Sequence, residues 1–439
     1  MELEVWLDDV EVGRLLHDGA SGLFALHYRG AWSGGARSYP LAPTLPLDRP
    51  EGQTDEQHSI QVRQFFENLL PEGEALDHAA AASVVSKANL AGLLAALGRE
   101  TSGALRILLP GGGDPRFPQQ RPLPRTELSE RIRNRSQEPF SVWDGSVRLS
   151  IAGYQDKIAV YVDGDDWFLV DGPQMASTHI VKPAPARPEL ADLPFNEFFC
   201  MRLARRVGLD VAHVDLHHVP EPVLFVERFD RKRLEDGRVR RLHLIDGCQA
   251  LGLPVSWKYE RAYGDRPEVQ QWRDGASMPK LFGLLQHSPR MLLDRMAMTR
   301  WVIFQLLIGN SDAHGKNVSF HVDHAGLRLA PAYDIVCMPP LGFDHPQAMA
   351  IGDAFSEPEV TPFEWACFAK QCGVAPRQLA QDLRRLTETL TAEAPKLARE
   401  LADVVPPRVS DAIIDVLAST CARQRRLAGE IPKVKPEDL

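Results

Sequence analysis

A chain of 439 residues has room for roughly two to four domains and the buried core of a complete enzyme. Its formal net charge of −9 with 25% charged residues argues against a large sequence-independent grip on nucleic acid by this chain alone, while leaving room for a basic patch or a DNA-binding partner. Six cysteines without a CxxC pair or zinc-ligand spacing read as reduced thiols, and the acidic start and the short apolar run at 301–309 predict neither a secretory leader nor a membrane span, so the expected location is the cytoplasm.

In chain order, the short Val-, Leu- and Phe-rich runs at 2–6, 11–16 and 23–28 predict a small antiparallel sheet. Segments 59–70 and 75–98 predict helices, and 103–110 a further strand. The Gly-Gly-Gly-Asp-Pro stretch marks 111–125 as a linker or loop. Strand-like runs follow at 147–152, 157–162, 166–170 and 178–182, then a helix at 193–208 and a strand at 222–227. Strands followed by a helix and a further strand are what a kinase N-lobe would show, an order that many α+β domains share. Beyond residue 240 the pattern is mainly helical, with helices at 291–308, 363–373, 376–403 and 408–428 and a strand at 327–330.

The most specific segment is Gly309-Asn310-Ser311-Asp312-Ala313-His314-Gly315-Lys316-Asn317, with Asp334 seventeen residues further on. Phosphoryl transfer asks for a carboxylate to orient the attacking hydroxyl and oxygen ligands for a metal on the phosphates. An Asp and an Asn five residues apart on one loop supply a base and a metal ligand, and a second Asp after a short strand completes the pair. Mg²⁺ takes few protein oxygens besides phosphate. Singly, such residues are turn formers more often than catalysts, and His314 alone is an ordinary loop histidine; the joint pattern points to chemistry.

Upstream, Ser150 to Lys157 forms a small-residue turn between strand-like runs, which lets backbone N–H groups approach phosphates. A plain hairpin has the same look. Lys182 ends a strand where a phosphate-binding lysine belongs, although a lone lysine there is usually solvated. Glu197 on the following helix is a pairing partner for it or a surface carboxylate. His321-Val322-Asp323-His324 reads as a solvated turn without enough ligands for zinc. The run Arg228, Arg231, Lys232, Arg233, Arg238, Arg240, Arg241 reads as a solvated hairpin able to steer an acidic partner or DNA backbone.

Taken together, these segments resemble the HipA-family kinase toxins along nearly the whole chain. The match is carried by Val5-Trp6-Leu7, Phe65-Phe66-Glu67-Asn68-Leu69-Leu70-Pro71, Leu97-Gly98-Arg99 and Ser150-Ile151-Ala152-Gly153-Tyr154-Gln155-Asp156-Lys157. It continues through His179-Ile180-Val181-Lys182, Asn196-Glu197, Val226 to Arg231, Cys248-Gln249-Ala250-Leu251-Gly252-Leu253-Pro254, Lys258-Tyr259-Glu260, the Asp312–Asn317 loop and Tyr333-Asp334-Ile335. Two departures stand out: Ile245-Asp246 replaces a Glu-Asp pair common in the family, and Tyr154 sits where a small residue is usual.

The resemblance implies an α+β, two-lobed protein-kinase-like fold with a mixed N-lobe, a mainly helical C-lobe and an extra N-terminal domain of sheet and helices. The corresponding division is 1–110, a linker and helix at 111–140, an N-lobe at 141–232 and a C-lobe at 233–439. It implies ATP and Mg²⁺ as cofactors, Asp312 as the catalytic base, and Asn317 and Asp334 as catalytic metal ligands. Nucleotide contacts fall to Ser150, Ile151, Ala152, Gly153, Tyr154, Gln155, Lys157 and Lys182, to His314 and Lys316 of the loop, and to the hinge at Glu227 and Phe229. Ser150 matches the serine whose autophosphorylation shuts the family's kinases off. Implied partners are a small helix-turn-helix HipB-like antitoxin, DNA through that antitoxin, and a translation-related protein substrate such as an aminoacyl-tRNA synthetase. The Asp-x-His-x-x-Asn spacing is also similar to phosphoinositide kinases, leaving a lipid or small-molecule acceptor as one alternative and a catalytically silent scaffold as another.

Overall fold

Alternation of apolar and polar residues in β1 (Glu2–Leu7) buries Leu3, Val5 and Leu7 on one face, as a half-buried strand requires. It lies between β2 (Val10–His17) and β4 (Leu105–Leu108), with β3 (Phe24–Tyr28) outside β2, in the antiparallel order β3-β2-β1-β4. The computed structural model describes residues 1–111, 119–144, 146–147, 155–172 and 175–439. These fall into two units: one of Met1–Pro185, His217–Val255 and Phe320–Gly326, the other of Ala186–Leu216, Ser256–Ser319 and Leu327–Leu439.

In the first unit a single turn, α1 (Gly30–Ser33), is followed by α2 (Asp55–Glu67), opened by a capping box in which Thr54 and Gln57 serve each other's backbone N–H. The helix expected at 75–98 is two: α3 (Gly73–Ala82) and α4 (Leu90–Leu97). The break has a local cause. Val84 adopts a left-handed φ of 54°, and the Asn89 side chain accepts from Gly92 N–H to start a new helix. Part of the expected linker is also structured, since β5 (Gln119–Pro122) pairs with β9 (Asp166–Asp171).

After α5 (Arg125–Arg133) and the two-residue strands β6 (Val142–Trp143) and β7 (Ser146–Val147), β8 (Ile158–Asp163), β9, β10 (His179–Pro183), β11 (Val214–His218) and β12 (Pro222–Glu227) complete a sheet of order β11-β12-β10-β8-β9-β5. Its core packs Leu128 and Ile132 of α5 against Ile158, Val160, Trp167, Val181, Val223 and Phe225. The hairpin β13 (Arg231–Arg233) and β14 (Val239–Arg241) leads to β15 (Leu244–Asp246) and α7 (Gly247–Leu251).

Asp246 has a structural task here. Its carboxylate accepts from Gln249 N–H at 2.8 Å while Gln249 returns a bond to the Asp246 N–H. Replacing Asp246 with Ala is expected to lower stability by about 1 kcal/mol, read as an earlier urea midpoint without change of slope; Ile245 is simply buried beside it.

The second unit is mainly helical: α6 (Leu193–Arg206), α8 (Met278–Leu284), α9 (Met291–Ile308), α10 (Pro362–Cys372), α11 (Pro376–Glu400) and α12 (Pro407–Leu427). Every residue of α9 from Trp301 to Ile308 is buried, which places it at the centre of that unit. It packs against α11 and α12, and Thr420 donates to the Leu307 carbonyl at 2.7 Å. Among the described residues no helix is long and apolar enough to cross a membrane. The six cysteines carry no disulfide.

Candidate active site

The buried helix α9 stops where Gly309 takes a φ of 72°, a left-handed turn that a β-carbon would strain. The chain therefore leaves the core carrying a polar loop. Asn310 braces it: Nδ2 donates to Gln305 Oε1 at 2.9 Å and Oδ1 accepts the Asp312 N–H at 3.2 Å. The Asp312 carbonyl in turn accepts from His314 N–H at 2.8 Å and from Asn317 Nδ2 at 2.9 Å. Asp312 is thus clamped at both its N–H and its carbonyl, with its carboxylate half-exposed and accepting the Tyr259 hydroxyl at 2.7 Å.

Between Ser319 and Leu329 the chain runs through β16 (Ser319–Asp323) and β17 (Gly326–Leu329) before returning to the loop. Ala332 bridges in parallel to Val211, with Ala332 N–H donating to the Asp210 carbonyl at 2.8 Å. Tyr333 Oη then donates to the Lys316 carbonyl at 2.5 Å. Asp334 follows with a φ of 56°, a conformation that costs a non-glycine residue about 1–3 kcal/mol and gathers at functional sites. Just beyond it, Asn196 of α6 donates to the Cys337 carbonyl at 2.9 Å and accepts from Cys337 N–H at 2.8 Å, so a buried amide fixes where the Asp334 segment leaves.

His314, Lys316 and Asn317 are all buried. Burial, then the neighbouring Lys258 ammonium, pulls the His314 imidazole down to about 3, so the ring is neutral at physiological pH. The Asp334 carboxylate acts on it in the opposite direction and the Lys316 ammonium in the same direction as Lys258. Its Nδ1 has no hydrogen-bond partner among the described residues.

Several isolated readings of the sequence give way here. Glu197 is 1% exposed and Lys182 7%, so the first is no surface carboxylate and the second no solvated strand end; Lys182 pairs in register with Leu224. His321 and Asp323 lie in β16 rather than in a turn, and among the described residues no three His, Cys, Asp or Glu side chains are grouped to hold a metal.

The arginine run is only partly a solvated hairpin. Arg228, Arg231 and Arg241 have side chains 2% exposed and are paired with acids, because isolated buried guanidiniums would be prohibitively costly. Lys232, Arg233, Arg238 and Arg240 remain on the surface.

In the first unit, Gln155 donates from Nε2 to the Pro183 carbonyl at 3.1 Å, and Lys157 is half-buried. Glu227 is exposed and Phe229 stands edge-on to His321 at 6.0 Å. The Arg228 N–H between them is already given to the Thr178 carbonyl at 2.9 Å. Ser150, Ile151, Ala152, Gly153 and Tyr154 lie outside the described residues.

A model of the HipA N-terminal domain matches residues 3–108 and one of the HipA-like C-terminal domain matches residues 149–394. The serine/threonine-protein kinase toxin HipA of Shewanella oneidensis is 35% identical over 100% of this chain and 99% of its own length. The chain belongs to the HipA family. A solved complex of HipA, HipB and operator DNA from Shewanella oneidensis MR-1 contains a chain that superposes with a TM-score of 0.87 at 34% identity, covering 99% of this chain and 100% of that one. The α+β, kinase-like fold with its additional N-terminal domain is therefore the HipA fold.

The residues that sequence reasoning left without a task are Asn196, Tyr259, Asn310 and Tyr333. Each lies within or beside a HipA motif, but their roles come from hydrogen bonds to distant backbone or side-chain atoms that spacing does not reveal.

Proposed function

We propose that this HipA-family chain is an ATP-dependent serine/threonine protein kinase, the toxin of a toxin–antitoxin pair, with a HipB-like helix-turn-helix antitoxin as partner and DNA reached through it. The relative's description as a kinase toxin and the HipA–HipB–operator complex support this reading. The carrying observation is the loop in which Asp312 is held by Asn310 and Asn317, with Tyr333 tying the Asp334 segment to it. The proposed division is 1–110, 111–140, 141–232 and 233–439.

The donor set fits Mg²⁺. Asn317 commits its Nδ2 to the Asp312 carbonyl, which turns its amide oxygen away from that carbonyl, and Asp334 adds a carboxylate. One amide and one carboxylate make an incomplete shell, as suits an ion that completes its coordination with phosphate and water. Bound there, the ion would neutralise charge on the phosphates. Asp312 orients the acceptor hydroxyl and takes its proton. Lys157, Lys182 and Lys316 bind phosphate, neutral His314 offers Nδ1 to the nucleotide, and Gln155 belongs to the phosphate turn. At the hinge, adenine is read by the Glu227 carbonyl and the Phe229 N–H, since the Arg228 N–H is taken.

The substrate is proposed to be a translation-related protein such as an aminoacyl-tRNA synthetase. Ser150 is the proposed self-inactivating phosphosite: a phosphoserine adds about −1.5 to −2 charge beside a turn that must hold an anionic nucleotide.

Two measurements test this. Radiolabelled ATP offered with cell lysate should label serine or threonine of protein, and label confined to lipid would overturn the reading. Ligand at 100 times its Kd stabilises the folded state by about 2.7 kcal/mol, so MgATP should raise the unfolding midpoint of protein first treated with phosphatase. No shift would count against nucleotide binding.

A further inference from the structure

The hydrogen bond from Tyr259 Oη to Asp312 Oδ1, at 2.7 Å, joins residues 53 apart in sequence. It is held from several sides. Gly315 N–H donates to the Lys258 carbonyl at 2.9 Å, docking the tyrosine's segment on the loop. The next residue, buried Glu260, accepts from Ala350 N–H at 2.8 Å and pairs with Arg273 at 2.5 Å. The Tyr259 ring stands edge-on to His314 at 5.2 Å, and Lys258 Nζ lies 5.5 Å from its centroid. Yet the residue is 37% exposed, so it forms part of the surface beside the Asp312 carboxylate.

Clamping the Asp312 backbone does not by itself set the two side-chain torsions. Rotation about the terminal torsion of an Asp is broad, and a base must meet its proton in a narrow range of geometry. The tyrosine hydroxyl, donating to Oδ1, supplies such a restraint.

We propose that Tyr259 is a positioning residue for phosphoryl transfer: its hydroxyl restrains the rotamer in which the Asp312 carboxylate meets the incoming serine or threonine hydroxyl. This rests on the reading of Asp312 as the base. In the step so arranged, the acceptor oxygen forms its bond to the γ-phosphorus and its proton passes to the Asp312 carboxylate. The bond from the γ-phosphorus to the β,γ-bridging oxygen breaks, its electron pair leaving on ADP.

The test compares the full-length chain with Y259F, Y259A and D312A. The readouts are the initial rate of label transfer from radiolabelled ATP to lysate protein at saturating ATP, the KM for ATP, and the unfolding midpoint. Y259F keeps the ring against His314 and removes only the hydroxyl. Its rate is expected to fall about ten- to a hundredfold, with KM for ATP and the midpoint unchanged, and Y259A should be at least as slow.

Y259F equal to wild type while D312A is inactive would overturn the positioning role and leave the base standing. A slower Y259F with a raised KM for ATP or a lower midpoint would show a merely structural tyrosine and also overturn it. D312A as active as wild type would remove the base and this inference with it.

Discussion

Asp312→Asn is expected to lower phosphoryl transfer about 10²- to 10⁴-fold, the usual worth of a positioned general base, while nucleotide-dependent stabilisation persists. Asparagine is the informative replacement. Its side-chain oxygen can still accept the Tyr259 hydroxyl that now meets Oδ1 at 2.7 Å, and its backbone keeps the bond it gives to Asn310 and those it accepts from His314 and Asn317. Shape and these loop bonds are retained, while the negative charge and the capacity to take a proton are lost. Single-turnover transfer with pre-bound MgATP would separate the two roles, since a residue that only shapes the loop would change nucleotide affinity as well. Wild-type rates in the Asn variant would dismiss Asp312 as base.

The effect of Asn317 and Asp334 substitutions should have a different signature. Asn317→Ala removes the bond to the Asp312 carbonyl together with the proposed metal ligand, so both loop order and Mg²⁺ dependence should change. Asp334→Asn leaves the Tyr333–Lys316 bond in place and should chiefly raise the Mg²⁺ concentration needed for activity. A titration of rate against Mg²⁺ checks this, and an unaltered half-point in Asp334→Asn would contradict the ligand role.

What was legible in the sequence was local. The helix ending in Gly309, the Asp312–Asn317 spacing and the strands flanking Lys182 all follow from hydrophobic period and punctuation, and they appear at nearly the expected bounds. What was not legible depends on partners far away in the chain. Nothing near Arg228 announces that Glu100, 128 residues earlier, will meet it. A run of arginines beside a turn is usually solvated, and that prior fails when acids from another segment arrive. The split of the helix expected at 75–98 is a different kind of miss: the Ala-rich run favours helix, while Asn89, read as a helix interior residue, is in fact a cap.

That buried ionic cluster sets the last prediction, Arg228→Met, which should destabilise the first unit by about 3–5 kcal/mol. Arg228 reaches Glu100 at 3.0 Å, Asp230 at 2.8 Å and the Thr101 carbonyl at 2.9 Å. Arg231 binds the same two acids and the Gly103 carbonyl, and Asp230 accepts from Gly103 N–H at 2.6 Å. Gly103 has a φ of 74°, and a β-carbon there would sit 2.7 Å from the Leu244 backbone, so the ions close over a tight backbone contact. A methionine fills the volume of the arginine stem but leaves two acids short of a cation in a site with little water. Burial favours their neutral forms, yet in the intact cluster the guanidiniums of Arg228 and Arg231 outweigh it and hold Asp230 at about 2; with Arg241 they also keep Glu100 well below the usual carboxylate range. Carboxylates depressed on folding add stability above their unfolded values, near pH 4, and that stability is lost as pH falls through the folded values. Wild type should therefore lose this contribution only in strong acid, between about pH 4 and 2. Without Arg228 the folded values rise, so part of the stability should already be missing at neutral pH and the acid-induced loss should begin higher. Urea unfolding from pH 3 to 7, followed by hydrogen exchange at the amides of β10 and β12, would show it. Equal stabilities for the two proteins at pH 7 would mean the cluster contributes no net stability and that the first unit is held by its apolar core alone.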